Sequence, residues 1–196
     1  MKNIYLFAFL LLFFSITANA QKTALYPQVP FDSLQAKIML SYGKATIEGN
    51  AYTKPKNTYG MDSGPKKILA GNVLITLYPV TPYFEEWYRM RKKMENKKTN
   101  VFLSEEAAKW CMTVKTDDNG NFRFTKMKPG KYFLQAFINY TQNGTSTVYQ
   151  GSGYNNYGGR TDYYNKQKYT NGYTDRLEEF VEIAQDGQVV LVKLKN

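Results

Sequence analysis

The chain has 196 residues and a formal charge of +10, with one cysteine and no histidine. Without imidazole and with a single thiol, Ser-His-Asp catalysis, Cys-His catalysis and the common zinc sites are all excluded. Because Cys111 is the only cysteine, no disulfide forms within the chain and the fold must rest on its apolar core.

Residues 1–20 have the pattern of a signal peptide. Lys2 supplies a basic start, a continuous apolar run follows, and "ANA" stands directly before Gln21. The alternative is a retained membrane anchor, but the apolar run is short for a spanning helix. No cysteine follows the run, so no lipoprotein anchor is predicted. We therefore expect an exported chain that starts at Gln21, has a formal charge of +9 (25 − 16) and has no transmembrane segment.

Residues 21–43 are predicted to form an N-terminal arm with a helical turn or a strand, and residues 44–196 a β-rich domain. In "KATIEGNAY", from Lys44, apolar side chains alternate with polar ones, which is the period of a half-buried strand. The stretch "AGNVLITLYPV" predicts a second strand, one face of which holds Val73, Ile75 and Leu77.

Residues 82–111 are predicted to be a helical insertion between strands. Thr81 stands at the N-cap position and Pro82 at the first helical position, where each residue type favours a helix start. Glu85 is spaced to pair with Arg89 one turn later. A second helical piece is predicted to begin at Ser104, again as the N-cap.

The stretch "TDDNGNFRFTKMKPGKYFLQAF", from Thr116, raises the question of a metal site. Asp117, Asn119 and Asn121 have the spacing of a calcium loop. However, the glycine stands at the fourth position instead of the sixth, and Lys128 replaces the bidentate glutamate of such loops. We therefore predict no metal site and no cofactor.

A structural interpretation explains more of the same residues. Asn119-Gly120 is a favoured pair for a tight hairpin in which both residues adopt positive φ, and Pro129-Gly130 predicts a second turn. The strands around these turns are predicted to point Phe122, Phe124, Tyr132, Leu134 and Ala136 into the core. Near the end of the chain, Asp186-Gly187 predicts a hairpin between the last two strands. Several short strands separated by turns favour a mainly β fold, an antiparallel β-sandwich, over a barrel of βα units.

The stretch from Thr116 also resembles the signature of carboxypeptidase regulatory-like domains, which are transthyretin-like (Greek-key) β-sandwiches with a carbohydrate-binding-like fold. The matching positions are Thr116, Gly120, Phe122, Phe124, Pro129, Gly130, Tyr132, Leu134 and Ala136. The resemblance extends over roughly Lys44–Pro79, Thr113–Ile138 and Glu178–Lys195. It implies a folding, spacing or binding module, and the family has no catalytic residues to transfer to this chain.

The helical insertion contains a basic cluster, "RMRKKMENKK". One interpretation is a docking surface for an anionic envelope component or an envelope protein, formed by Arg89, Arg91, Lys92, Lys93, Lys97 and Lys98. The other is a solvated helix face with no partner. Nucleic acid is not an expected partner, because the chain is predicted to be exported and has no recognisable reading motif.

Residues 139–174 are rich in Tyr, Gly and Asn and are predicted to form a long loop. Tyrosine among small polar residues is the composition of adaptable binding surfaces, and its ring can stack on sugars. The expected ligand contacts are Tyr154, Tyr157, Arg160, Tyr163 and Tyr164. The alternative is an exposed loop, or extra edge strands, whose tyrosines only cover the sandwich.

The sequence therefore predicts an exported, non-catalytic β-sandwich that acts as an accessory or binding module at the cell envelope. Its location would be periplasmic, outer-membrane-associated or extracellular. Glycan is the preferred ligand class. The alternative is a structural or protein-interaction module that docks through the basic residues 89–98. No spacing of carboxylates marks a glycosidase pair, and Cys111 is expected to be a small buried residue and not a nucleophile.

Overall fold

The computed structural model describes residues 22–56, 61 and 67–196. The signal peptide predicted for residues 1–20 lies outside the described residues. Within the described ranges, no helix has both the length and the apolar character needed to cross a membrane. The described residues divide into two compact units, one made of those up to Ser33 with Thr81–Lys109, the other of those in Leu34–Val80 with Trp110–Asn196.

Strands dominate the described chain, and helices are few. The strands are β1 (Thr23–Leu25), β2 (Ala45–Thr53), β3 (Ile68–Leu69), β4 (Leu74–Pro79), β5 (Thr99–Val101), β6 (Met112–Lys115), β7 (Asn121–Met127), β8 (Gly130–Tyr154), β9 (Arg160–Ile183) and β10 (Val189–Leu194). The helices are α1 (Ser33–Met39), α2 (Pro82–Met94) and α3 (Glu105–Lys109).

The first unit contains α2, α3 and a short parallel pair formed by β1 and β5. Helix α2 starts where the sequence predicted, because the Thr81 hydroxyl accepts a hydrogen bond from the Phe84 N–H at 3.3 Å. Ser104 caps α3 in the same way, through the Ala107 N–H at 3.2 Å. Trp87 is buried, and its indole N–H donates to a backbone carbonyl of β5.

The second unit is a β-sandwich of two four-stranded sheets. One sheet has the order β10-β2-β3, with β7 also paired to β2, and the other has the order β6-β4-β8-β9. The mainly β sandwich predicted from the sequence is confirmed. One pair departs from the antiparallel prediction, because β10 runs parallel to β2, with Val189 beside Thr46 and Leu194 beside Ala51.

The core lies between the two sheets. All five inward residues predicted for the stretch from Thr116 are buried there, and so are Ile75 and Leu77 of β4. β2, which lies in the same sheet as β7, contributes Ala45, Ile47 and Ala51. In β4 and in the first half of β7, buried positions alternate with more exposed ones, which is the period of strands with one face on a core.

Two predicted hairpins are wrong in the same way, because each turn crosses from one sheet to the other. The turn at Asn119-Gly120 leads from β6, which pairs with β4, to β7, which pairs with β2. Only Gly120 has a positive φ, +78°. The turn at Asp186-Gly187 leads from β9, which pairs with β8, to β10, which pairs with β2. The turn residues reverse the chain as expected, but strand pairing depends on the distant partner.

The loop predicted for residues 139–174 is also wrong, whereas the extra strands that the sequence left as an alternative are present. These residues continue β8 and β9 far beyond the sandwich as a two-stranded antiparallel ribbon, with a turn between Tyr154 and Arg160. The sequence suggested a loop because aliphatic residues are nearly absent. The backbone instead pairs with itself across the ribbon, which needs no apolar core.

Candidate functional site

The ribbon, residues 139–174, is the most exposed part of the sandwich unit. Its register is continuous with the buried part of β8 and β9, from Gly130 opposite Ile183 to Tyr154 opposite Arg160, with one irregularity between Tyr149 and Gly151. Asn155 closes the turn, because its side-chain oxygen accepts from the Tyr157 N–H at 3.0 Å and the Gly159 N–H at 2.7 Å.

Side chains alternate between the two faces of the ribbon, and the faces differ in chemistry. The face that continues the buried side of the sheet is here named the tyrosine face. It carries rings and side-chain amides and no charged side chain: Tyr140, Tyr163, Tyr169 and Tyr173, with Gln142, Asn165, Gln167 and Asn171. The opposite face, here named the lysine face, carries Tyr149, Tyr154, Arg160, Asp162, Tyr164, Lys166 and Lys168.

Glycines hold the rings of the tyrosine face close to the backbone. Gly144 lies directly opposite Tyr169, and a Cβ at position 144 would lie 2.3 Å from the Tyr169 Cζ. Gly153 lies beside Tyr163 in the same way, with 3.1 Å from a Cβ to the ring. Both rings nevertheless stay accessible to solvent, since Tyr163 and Tyr169 remain 57% and 48% exposed.

At the base of the ribbon, the rings of Tyr140 and Tyr173 stack with centroids 5.6 Å apart and an interplanar angle of 20°. Asp175 lies next to them and ties β9 to the opposite sheet. Its carboxylate accepts a hydrogen bond from the Thr53 hydroxyl of β2 and one from the Asn196 side chain at 3.1 Å. Burial, and then the Asp175 carboxylate, raise the pKa of Tyr140 to about 12.

The lysine face is organised by hydrogen bonds among its own residues. The Arg160 guanidinium lies 2.7 Å from the Asp162 carboxylate and 3.1 Å from the Ser152 hydroxyl. Tyr149 and Tyr164 meet edge to face across the strands, with centroids 5.7 Å apart. These contacts occupy Arg160 within the protein.

The structure does not bring the five predicted ligand contacts together. Tyr163 and Tyr164 are neighbours in a strand, so they point to opposite faces. Tyr154 lies opposite Arg160 on the lysine face, and Tyr157 lies in the turn, 97% exposed. The residues that do share a face with Tyr163 are Tyr140, Tyr169 and Tyr173, which the sequence prediction did not select. Once the segment is read as a strand, the even spacing of Tyr163, Tyr169 and Tyr173 identifies them.

The basic cluster is also smaller than predicted. Arg91 is buried, and its guanidinium lies 4.5 Å from the ring centre of Trp87 and 5.0 Å from that of Tyr88. Arg89 forms a two-pronged hydrogen bond with Glu86, and not the predicted pair with Glu85. Four lysines of the cluster remain exposed: Lys92, Lys93, Lys97 and Lys98.

In the turn that suggested a metal site, the Asp117 carboxylate is hydrogen-bonded to other residues of the same turn. Asp117 accepts hydrogen bonds from the Asn121 side chain and from the backbone N–H groups of Asn119 and Asn121. These bonds lower the pKa of the Asp117 carboxyl. Cys111 is half-buried rather than fully buried, and burial raises the pKa of its thiol, which disfavours the thiolate.

The fold has a counterpart among solved structures. A Pseudomonas aeruginosa protein for which carbohydrate binding is proposed matches with a TM-score of 0.54 at 18% identity, over 87% of this chain and 99% of that chain. The major pilin subunit of Bacillus cereus matches with a TM-score of 0.31 at 14% identity, over 79% of this chain and 30% of that chain. The first likeness shows a shared fold, and the second is too weak to support an argument. No protein-family model and no curated protein matches the sequence.

Proposed function

We propose that the protein is a non-catalytic glycan-binding module and that the tyrosine face of the ribbon is its binding surface. The observation that carries the proposal is the chemistry of this face, on which four tyrosines alternate with side-chain amides and no charge is present. Sugar rings combine apolar C–H faces with hydroxyl groups. Aromatic rings can stack on the apolar C–H faces, and side-chain amides can form hydrogen bonds with the hydroxyl groups.

The spacing of the rings favours an extended ligand. Tyr169 and Tyr173 are four residues apart on one strand face, which is about 14 Å, and Tyr163 lies about 20 Å from Tyr169. A single sugar ring cannot contact all three, whereas an oligosaccharide lying along the strand can. Because the face is uncharged, we propose a neutral glycan and binding that depends little on ionic strength.

The predicted location and family belong to the same proposal. The sequence pattern of residues 1–20 supports export to the periplasm, the outer membrane or the exterior. The signature from Thr116 supports a carboxypeptidase regulatory-like domain, and the fold shared with the P. aeruginosa structure supports the β-sandwich part of that assignment. N-terminal sequencing of the secreted or periplasmic chain tests export, with Gln21 expected as the first residue.

Neighbouring tyrosines on opposite faces provide a matched test. On a glycan array and then by calorimetry, Tyr163→Ala and Tyr169→Ala are expected to weaken binding, each by about five- to a hundredfold if one stacking contact is lost. Tyr164→Ala and Tyr154→Ala remove rings of the lysine face and are expected to leave binding unchanged. Binding should persist when the salt concentration is raised. The proposal fails if the folded protein binds no glycan, or if the lysine-face variants lose binding while the tyrosine-face variants retain it.

A second candidate function is docking to an anionic envelope component or an envelope protein through the exposed lysines of the basic cluster. The observation that favours it is the group Lys92, Lys93, Lys97 and Lys98, which lies at and just after the end of α2. Lys92→Glu and Lys93→Glu should abolish capture of an envelope partner. Arg91 is unsuitable for this test because it is buried, and its substitution would also disturb the packing of Trp87.

A further inference from the structure

Within the described residues, the ribbon has one long strand edge with no neighbouring strand. β4 pairs with β8 only from Tyr132 to Ala136. Beyond that point, β9 is the only strand that pairs with β8 in the part of the chain that the structure describes. The outward N–H and C=O groups between Asn139 and Tyr154 are therefore available to another strand.

The two edges of the ribbon differ in composition. The β8 side, from Asn139 to Tyr154, contains no Lys, Arg, Asp, Glu or Pro. The β9 side carries Arg160, Asp162, Lys166 and Lys168. Charged residues and prolines are the usual means by which natural proteins prevent pairing at an edge. The β9 edge is thus protected against pairing, and the β8 edge is not.

The free edge is also long enough for a stable contact. The irregularity at Tyr149–Gly151 limits its regular part to Asn139–Tyr149, which spans about 35 Å. Thr141, Thr145 and Thr147 on this stretch are β-branched and favour extended pairing. An isolated two-stranded ribbon is only marginally stable in water, whereas a sheet of four strands is considerably more stable.

We propose that two copies of the chain pair antiparallel along their β8 edges and form a two-fold symmetric dimer. The joined ribbons make a four-stranded sheet in the order β9-β8-β8-β9. Identical edges that run antiparallel are related by a two-fold axis perpendicular to the sheet, so the contact is closed. The charged β9 edges then lie outside and prevent further strands from adding. The same axis places both tyrosine faces on one side of the sheet.

The dimer does not depend on glycan binding, and its test needs no ligand. Light scattering after size exclusion is expected to show a mass of two chains, with dissociation on dilution. If the Asn139–Tyr149 stretches of the two copies pair along their whole length, the axis lies at Gly144. Thr145→Glu combined with Thr147→Glu then brings acidic side chains of both copies near one another on one face of the contact, which is expected to weaken the dimer about tenfold or more. Within one ribbon, the same substitutions place glutamates opposite Lys168 and Lys166, so each ribbon should stay folded.

A matched control lies on the other strand. Thr170→Glu adds one negative charge to the same face but at the β9 edge, and its dimer is expected to match that of the unmodified protein. Circular dichroism confirms that all variants are folded. The proposal would be overturned if the unmodified protein is monomeric at the highest attainable concentration. A Thr145→Glu, Thr147→Glu variant that dimerises as well as the unmodified protein would also overturn it.

Discussion

β8 and β9 each pass through two very different environments while keeping one register. In the proximal half, Gly130–Ile138 and Asp175–Ile183, one face is packed in the core, and Leu134 and Leu177 are fully buried. In the ribbon, the same two strands continue with the same pairing, but both faces meet solvent. Backbone hydrogen bonding is therefore common to both halves, and only the side chains determine which half stabilises the fold. Proximal side chains carry the stability, which leaves the ribbon side chains available for the proposed binding.

The largest expected contrast comes from deleting apolar volume in each half. Leu134→Ala should lower the free energy of unfolding by about 2–5 kcal/mol, because it leaves a cavity in the core. Val148→Ala, in the ribbon, should change it by no more than about 0.5 kcal/mol. Urea unfolding measures both values. Equal losses of unfolding free energy would show that the Val148 side chain is packed against another molecule and is not exposed to solvent.

Replacing a glycine by alanine gives a second contrast between the sandwich and the ribbon, because it adds a methyl group in each. A Cβ at Gly49 would lie 2.5 Å from the Val192 carbonyl oxygen and 2.5 Å from the Phe122 ring. Because the backbone of β10 cannot move without breaking its pairing with β2, Gly49→Ala should cost about 1–3 kcal/mol. Gly144→Ala meets only the half-exposed Tyr169 ring, which can swing aside, so thermal unfolding should be nearly unchanged. Weakened glycan binding by this variant would show that the ring position matters for the ligand.

The junction between the two halves is tested at Asp175. Asp175→Ala removes the acceptor of the buried Thr53 hydroxyl and of the Asn196 side chain. We expect a loss of about 1–2 kcal/mol on chemical unfolding, since a buried donor is left without its acceptor while water reaches part of the site. Hydrogen exchange should accelerate at the base of the ribbon more than in β4. Uniform acceleration throughout the sandwich would mean that Asp175 stabilises the whole fold and does not specifically anchor the ribbon.

The smallest effect is confined to alkaline pH. Burial raises the pKa of Tyr132 in the proximal half to about 12, and the pKa of Tyr140 at the junction is also about 12. The ordinary value is 10.0. Because the folded pKa is higher, the stability contribution is complete below pH 10 and is lost as the pH rises through 12. The absorbance of tyrosinate should contain a component near pH 12 that is smaller in Tyr132→Phe. A component that stays unchanged would contradict this assignment.

Much of the fold could be predicted because its signals are local. Alternation of apolar and polar residues identified the inward faces of β4, β7 and the proximal part of β8, since burial of one strand face imposes a period of two. The capping residues Thr81 and Ser104 marked two helix starts, because a cap acts within three residues of itself. The turn residues at Gly120 and Gly187 were also recognisable, since each adopts a positive φ.

The candidate site was predicted less well, because it depends on pairing between distant segments. Composition located the tyrosine-rich segment and suggested binding, but a loop has no faces, so Tyr163 and Tyr164 were grouped together. Pairing of Tyr169 with Gly144 and of Tyr140 with Tyr173 makes the segment a ribbon, and alternation along its strands places Tyr163 and Tyr164 on opposite faces. The same limit applies to the basic cluster, in which burial of Arg91 follows from packing against Trp87 and not from spacing.

Residue patterns were therefore sufficient for strand faces, turns and helix starts, all of which depend on contacts within a few residues along the chain. Residue patterns did not identify the strand partners. β10 lies beside β2 instead of β9, and the ribbon pairs with itself instead of forming a loop. A turn makes the same local hydrogen bonds whether the next strand stays in the same sheet or enters the opposite one. The choice is made by the shared core and by backbone pairing between segments far apart in sequence, and it is this choice that creates the tyrosine face.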